Sequence, residues 1–269
     1  MRLNVVSALV LAGLFGGSAP AHALTILGTH ASFVTGPDNS PANGGGTIED
    51  VFAAAAGYWE LAILDDATVT IPFGWVAGSG PLGAFDGTSI SIPVAHDWFV
   101  DSTPGLNEEY TTPELVYASL GGTLVNYSVG LTGGVGAADG FDLFTTLLHE
   151  IGHALTFIDP NVFVDYADGD VDVTAPRPLA GLQIPLSGAH LGTPAGYTGL
   201  NPLMFPTLEP GERRFISDVD LLFVAQGGKW EQLDPTRFAT APEPASLVLL
   251  GVAAAGLTWR RRTPCARRA

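Results

Sequence analysis

The chain is almost without cysteine: Cys265, close to the C-terminus, is the only one. No disulfide can staple the fold, so its cohesion has to come from buried apolar surface or bound metal. Positive charge is equally scarce. No Lys or Arg occurs between Arg2 and Arg177, and residues 24–241 hold 26 Asp and Glu against 5 Lys and Arg, a net charge of −21. Such a surface repels nucleic acid and anionic lipid, which excludes nucleic-acid binding, and it offers many hard oxygen ligands. Methionine is nearly absent, with only Met204 beyond the initiator. No repeat period is visible, and Gly130–Gly140, with five glycines, lacks the strand-turn-helix context of a phosphate loop. Only 14% of the 269 residues are charged and 46% are hydrophobic, enough to bury a substantial core.

The stretch that stands out is Leu147-Leu148-His149-Glu150-Ile151-Gly152-His153-Ala154-Leu155. Asp142 is a suitable N-cap, and Leu143, Leu147, Ile151 and Leu155 form an apolar stripe, so the segment reads as a helix. On a helix His149 and His153 lie about 40° apart and about 6 Å along the axis, so both imidazoles reach one ion from the same side. Glu150 is turned by about 100°, placed to act on a metal-bound water without being a ligand. A zinc hydrolase needs this combination, in which the ion brings the pKa of water to about 7 and a carboxylate takes its proton. The competing reading is a chance motif whose buried histidines only bond to carbonyls.

Neither end of the chain belongs to the fold. Residues 1–23 have a basic start at Arg2, an apolar run from Val5 to Phe15 and small residues at Ala21-His22-Ala23, the pattern of a secretory signal peptide. At the other end Pro242-Glu243-Pro244 precedes an apolar run from Ala245 to Trp259 and then Arg260-Arg261-Arg262. The run is short of the ~20 residues that span a bilayer comfortably, although the arginines are a good cytoplasmic stop. A plain tail anchor is one reading. In its order of parts, 241–269 resembles the PEP-CTERM sorting signal of Gram-negative bacteria. That resemblance implies exosortase-type machinery as a partner, transient membrane anchoring through the C-terminal helix, and export to the envelope or extracellular matrix.

Between the ends, 24–240 reads as one domain. Thr47 to Leu64 is an expected helix, capped by Thr47 with Glu49 and Asp50 at its positive end. Thr68-Val69-Thr70-Ile71-Pro72 and Ser89-Ile90-Ser91-Ile92-Pro93-Val94 are expected strands that end, or lie at an edge, at their prolines. Thr111 to Leu120 reads as a short helix with Pro113 in its first turn. After the metal-binding helix the chain is loop-rich until a helix at Ser217 to Gln226. The fold class is α+β, a twisted mixed sheet with an active-site helix and a loop-rich C-terminal lobe.

A catalytic zinc takes three protein ligands and leaves one position open. Asp159 lies ten residues after His149, where the long H-E-x-x-H-x-x-G-x-x-H motif places its last ligand. That motif turns at a glycine where this chain has Thr156, a poor residue for such a turn. The other candidate is His190. The motif helix, Ala189-His190-Leu191 and Leu203-Met204-Phe205-Pro206 together resemble secreted bacterial metallopeptidases of the leishmanolysin-like, metzincin type. The resemblance covers roughly residues 141–230. It implies His190 as the third ligand, Met204 as the apolar floor of a methionine turn, and a zinc endopeptidase with protein or peptide substrates. Phe205 stands where some of that family carry tyrosine, and Tyr197 is an open candidate for assisting. His30 and His96 read as structural. Asp165, Asp168, Asp170 and Asp172 offer either a calcium cradle without EF-hand spacing or a solvated acidic turn. The alternative function is a non-catalytic surface or matrix protein that retains a zinc-binding scaffold.

Overall fold

The computed structural model describes residues 24–133, 140–158 and 168–238. The expected signal peptide, the tail 241–269, Asp159 and Asp165 lie outside the described residues. Three helices are present among them, and each starts at an oxygen side chain that caps it. Thr47 Oγ1 accepts the Asp50 amide at 3.2 Å to open α1 (Ile48–Ala62). Asp142 accepts the Thr145 amide at 3.0 Å to open α2 (Leu143–Thr156). Ser217 and Asp220 form a reciprocal capping box that opens α3 (Asp218–Gly228).

The strands form several small sheets rather than the single twisted sheet expected. β1 (Thr25–His30), β2 (Thr68–Val76), β3 (Ala84–Phe85) and β4 (Ile90–Pro93) make a mixed sheet in the order β1-β2-β4-β3. Its first three members are parallel, and β3 runs antiparallel to β4 at the edge. β5 (Trp98–Phe99) pairs with β8 (Phe141–Asp142), which leads into α2. β6 (Thr112–Leu120), β7 (Thr123–Thr132) and β12 (Glu212–Phe215) form an antiparallel sheet, as do β9 (Asp170–Asp172), β10 (Gln183–Ser187) and β11 (His190–Leu191). The C-terminal lobe is therefore less loop-rich than its composition implies.

One local expectation needs correction. Thr112–Leu120 is a strand, because Leu115-Val116-Tyr117 and their neighbours pair along the whole of β7. Pro113 is tolerated there since β6 is the edge of its sheet. Pro72 does not end β2. Pairing with β4 begins only at Phe73, so at Pro72 the strand has a neighbour on the β1 side alone. Among the described residues no helix is long and apolar enough to cross a membrane, and the C-terminal apolar run from Ala245 to Trp259 lies outside them.

The core closes around α2, which is buried at every residue except His149. Trp59 of α1 donates its indole N–H to the Leu148 carbonyl at 2.9 Å, and Trp230 donates to the Leu155 carbonyl at 3.1 Å. The N-terminus of α2 is held by charge. Arg213 of β12 is fully buried, with Nη2 2.8 Å from Asp101 and 2.9 Å from Asp142, and its guanidinium lies 4.7 Å from the centre of the Tyr110 ring. Removing one member of a buried ion pair strands the others without solvent. Arg213→Met should therefore lower the unfolding free energy by about 3–5 kcal/mol in urea titrations. A loss below about 1 kcal/mol would mean that this triad does not anchor the helix.

Candidate metal centre

Helix α2 brings His149 and His153 to one face, and β11 brings in His190. The ring centroids lie 4.6 Å apart for His149–His153, 4.7 Å for His153–His190 and 5.3 Å for His149–His190. One ligand nitrogen from each lies within 4.8 Å of the others. His153 Nε2 and His190 Nε2 face each other at 3.1 Å. Two ligands about 2.0–2.1 Å from a tetrahedral zinc are themselves about 3.3 Å apart, so the spacing fits a shared ion. The donor set fits as well, being three imidazoles with no thiol.

Each ring is oriented from behind. His149 Nδ1 lies 2.7 Å from the Leu203 carbonyl, which can only accept, so Nδ1 carries the proton and Nε2 keeps its lone pair. His153 stacks on Phe157, centroids 5.3 Å apart and 12° from parallel. Its Nδ1 is buried without a partner among the described residues. His190 is placed by its strand: Ser187 pairs with it across the β10–β11 turn, and the next amide, Leu191, donates to the Met204 carbonyl at 2.9 Å. Burial lowers the pKa of all three, His149 to about 3, which keeps them neutral and able to bind metal at neutral pH.

Met204 forms the floor. A Cβ at Gly152 would sit 2.6 Å from its sulfur, so the second of the two unfixed residues of His149-Glu150-Ile151-Gly152-His153 must be small for the floor to close. The turn carrying Met204 hangs from Asp220, whose carboxylate accepts the Leu203 and Met204 amides at 3.1 and 2.7 Å and the Ser217 amide at 3.0 Å. Burial pushes the Asp220 carboxyl up to about 6 while these hydrogen bonds pull it down.

Glu150 is 5% exposed and lines a cleft of about 900 Å³ beside the three histidines. Burial raises its pKa to about 7, against the lowering effect of the Phe85 backbone N–H. The far walls are apolar, from Phe85, Phe141, Phe205 and Leu208. His96 also lines this cleft, with Nε2 2.9 Å from the Gly80 carbonyl and its ring edge-on to Trp98 and Phe141. Its place beside Asp97 and Trp98 gave no sign of that. His30 lies away from the site, paired with Glu49. Tyr197 is not on the cleft; its hydroxyl donates to the Leu200 carbonyl. Thr156 continues α2, its hydroxyl donating to the Gly152 carbonyl at 2.7 Å, so no glycine turn interrupts the helix there. Carboxylate oxygens of Asp168, Asp170 and Asp172 also lie within 4.8 Å of one another, two of the three residues being exposed and Asp170 half-buried.

Comparison with known proteins bears on the tail. A family model described as the PEP-CTERM protein-sorting motif matches residues 240–262. The tail is a sorting signal. It indicates export and cell-envelope sorting in Gram-negative bacteria, with recognition by exosortase machinery. No curated protein and no solved structure matches the chain. The match ends at Arg262, the last of the arginine cluster, and starts one residue before the boundary read from composition.

Asp220 touches no histidine, yet it fixes the turn that fixes His149. Removing such outer partners typically costs about 10–100-fold in metal affinity. Asp220→Ala should weaken zinc binding by that factor in a chelator competition. Unchanged affinity in a folded variant would show that the turn holds its shape without the carboxylate.

Proposed function

We propose that residues 24–240 form an exported zinc-dependent endopeptidase. The observation that carries this reading is the meeting of His149, His153 and His190, the last two 37 residues apart, beside a buried Glu150 at the wall of an apolar cleft. A purely structural zinc site closes all four positions with protein ligands and has no use for a carboxylate base beside it. Here the three histidines and Glu150 line one open cleft.

Zinc held by the three imidazoles would polarise the scissile carbonyl and acidify water. The chain's own groups supply the rest. Glu150, buried at the wall of the cleft, takes the proton from water and returns it to the leaving amine as the peptide bond breaks. The apolar walls exclude water and receive substrate side chains. β3, the edge of the four-stranded sheet, lies next to α2, and its unpaired side offers backbone groups to a substrate strand.

The sorting tail places the domain at the envelope, where a non-catalytic matrix component would also be sorted. One experiment separates the two. Purified residues 24–238 should cleave members of a mixed peptide library, lose cleavage with chelator, and regain it with zinc. Glu150→Ala should lower kcat by at least about 10²–10⁴-fold while zinc remains bound at one equivalent. Cleavage retained in that variant rejects Glu150 as the base, and no cleavage by the zinc-loaded wild type leaves the matrix-component reading.

A further inference from the structure

The loop from Gly80 to Gly87 forms the upper wall of the cleft and carries β3. Gly83 lies in it just before the strand. Its backbone is not in the left-handed region, so the conformation does not call for glycine. Space does. A Cβ at position 83 would sit 2.7 Å from Glu150 Cγ, 2.8 Å from Oε1 and 3.0 Å from Cδ. All three nearest atoms belong to that one side chain. Three residues earlier, a Cβ on Gly80 would meet nothing within 4 Å, so the loop is not crowded in general.

The helix that carries Glu150 cannot back away, because it is buried and already closed against the floor at Gly152, where a methyl group would lie 2.6 Å from the Met204 sulfur. Phe85, at the entry to β3, lines the same cleft as the carboxylate. We propose that Gly83 is a positioning residue for Glu150: its missing side chain lets the carboxylate lie against the loop at the entry to β3. This rests on Glu150 being the general base. A methyl group at position 83 would be relieved most cheaply by rotating the Glu150 side chain, since the loop and helix backbones are held by β4 and the core. The base then leaves its working position while the three imidazoles stay where they are. A misplacement of about 1 Å in a catalytic group costs up to about 10²-fold in rate.

The test compares Gly83→Ala with Gly57→Ala, a helix-α1 glycine whose Cβ would meet nothing within 4 Å. In the zinc-loaded protein Gly83→Ala should lower kcat by about 10–100-fold with KM within about twofold of wild type, and with melting temperature and zinc affinity unchanged. Gly57→Ala should match wild type in kcat, KM and zinc affinity, with a melting temperature equal or higher, since alanine suits a helix interior better than glycine. Glu150→Asp, which shortens the acid by one methylene, should cost less when combined with Gly83→Ala than when made in the wild type, a non-additivity that a purely structural glycine does not produce. A further readout needs no activity: in the metal-free protein the amide proton resonance of Phe85 should move in Gly83→Ala in the same direction as in Glu150→Ala. An unmoved Phe85 resonance with unchanged kcat overturns the proposal. So does a loss of kcat that comes with losses of melting temperature and zinc affinity, because the glycine would then serve only the fold. If the wild type cleaves no peptide, the endopeptidase reading fails while the Phe85 resonance still decides whether Gly83 positions Glu150.

Discussion

The contact between His149 Nδ1 and the Leu203 carbonyl, 2.7 Å long, joins the two halves of the site. Behind it runs a continuous series of hydrogen bonds. Asp220, in the first turn of α3, holds the Leu203 and Met204 amides, and the Met204 carbonyl in turn holds the Leu191 amide next to His190. Two of the three imidazoles are thus referred to one buried carboxylate, and the third is fixed by belonging to the same helix as His149. The cap of α3 therefore also sets the geometry of the histidine cluster. A buried acid with several amide donors is costly to desolvate and strongly directional once paired, which suits a group that has to fix a turn.

Charge is distributed on the same principle. The domain between residues 24 and 241 has only 5 Lys and Arg, and three of them, Arg177, Arg213 and Arg214, are buried. Arg213 draws Asp101 and Asp142 together at the head of α2. Arg214 donates to the Pro202 and Thr207 carbonyls on either side of the methionine turn, at 3.4 and 2.6 Å. The scarce cations work inside, where a guanidinium can serve several acceptors at once, and the surface is left strongly acidic. An acidic surface raises the local concentration of divalent cations without binding any one of them specifically.

The legible parts of the site were those encoded within one element. His149, Glu150 and His153 share a helix, so their spacing alone fixes their relative directions, and Asp142, Thr47 and Ser217 are caps that local chemistry demands. His190 was reachable only through resemblance, because its approach depends on the β10–β11 turn and on Met204 rather than on spacing. Asp220 reads in sequence as an ordinary third residue of a capping box, and nothing local shows that its second oxygen is engaged elsewhere. Gly83 sits in a glycine-rich loop where each glycine looks like flexibility. Thr112–Leu120 shows the opposite failure. Pro113 read as a helix start, and the pairing with β7 that overrides it comes from a later segment.

The continuation of α2 through Thr156 has a structural consequence for how the third imidazole joins the other two. Because Thr156 is buried and bonded within the helix, His153 and Phe157 remain on consecutive turns and stack, which shields one face of the His153 ring. A chain that turned back sharply at that point would lose this shield. The third imidazole instead arrives on a hairpin clamped from two sides, by the Gly192 amide on the Pro185 carbonyl at 2.8 Å and by the Tyr127 hydroxyl on the Gly192 carbonyl at 2.6 Å. Tyr127 belongs to β7, the strand that also pairs with β12 and so with Arg213. The same sheet therefore steadies His190 through Tyr127 and the start of α2 through Arg213. The hairpin that brings one imidazole and the helix that brings the other two are thereby referred to a single pair of strands, which lets imidazoles far apart in sequence keep a common frame.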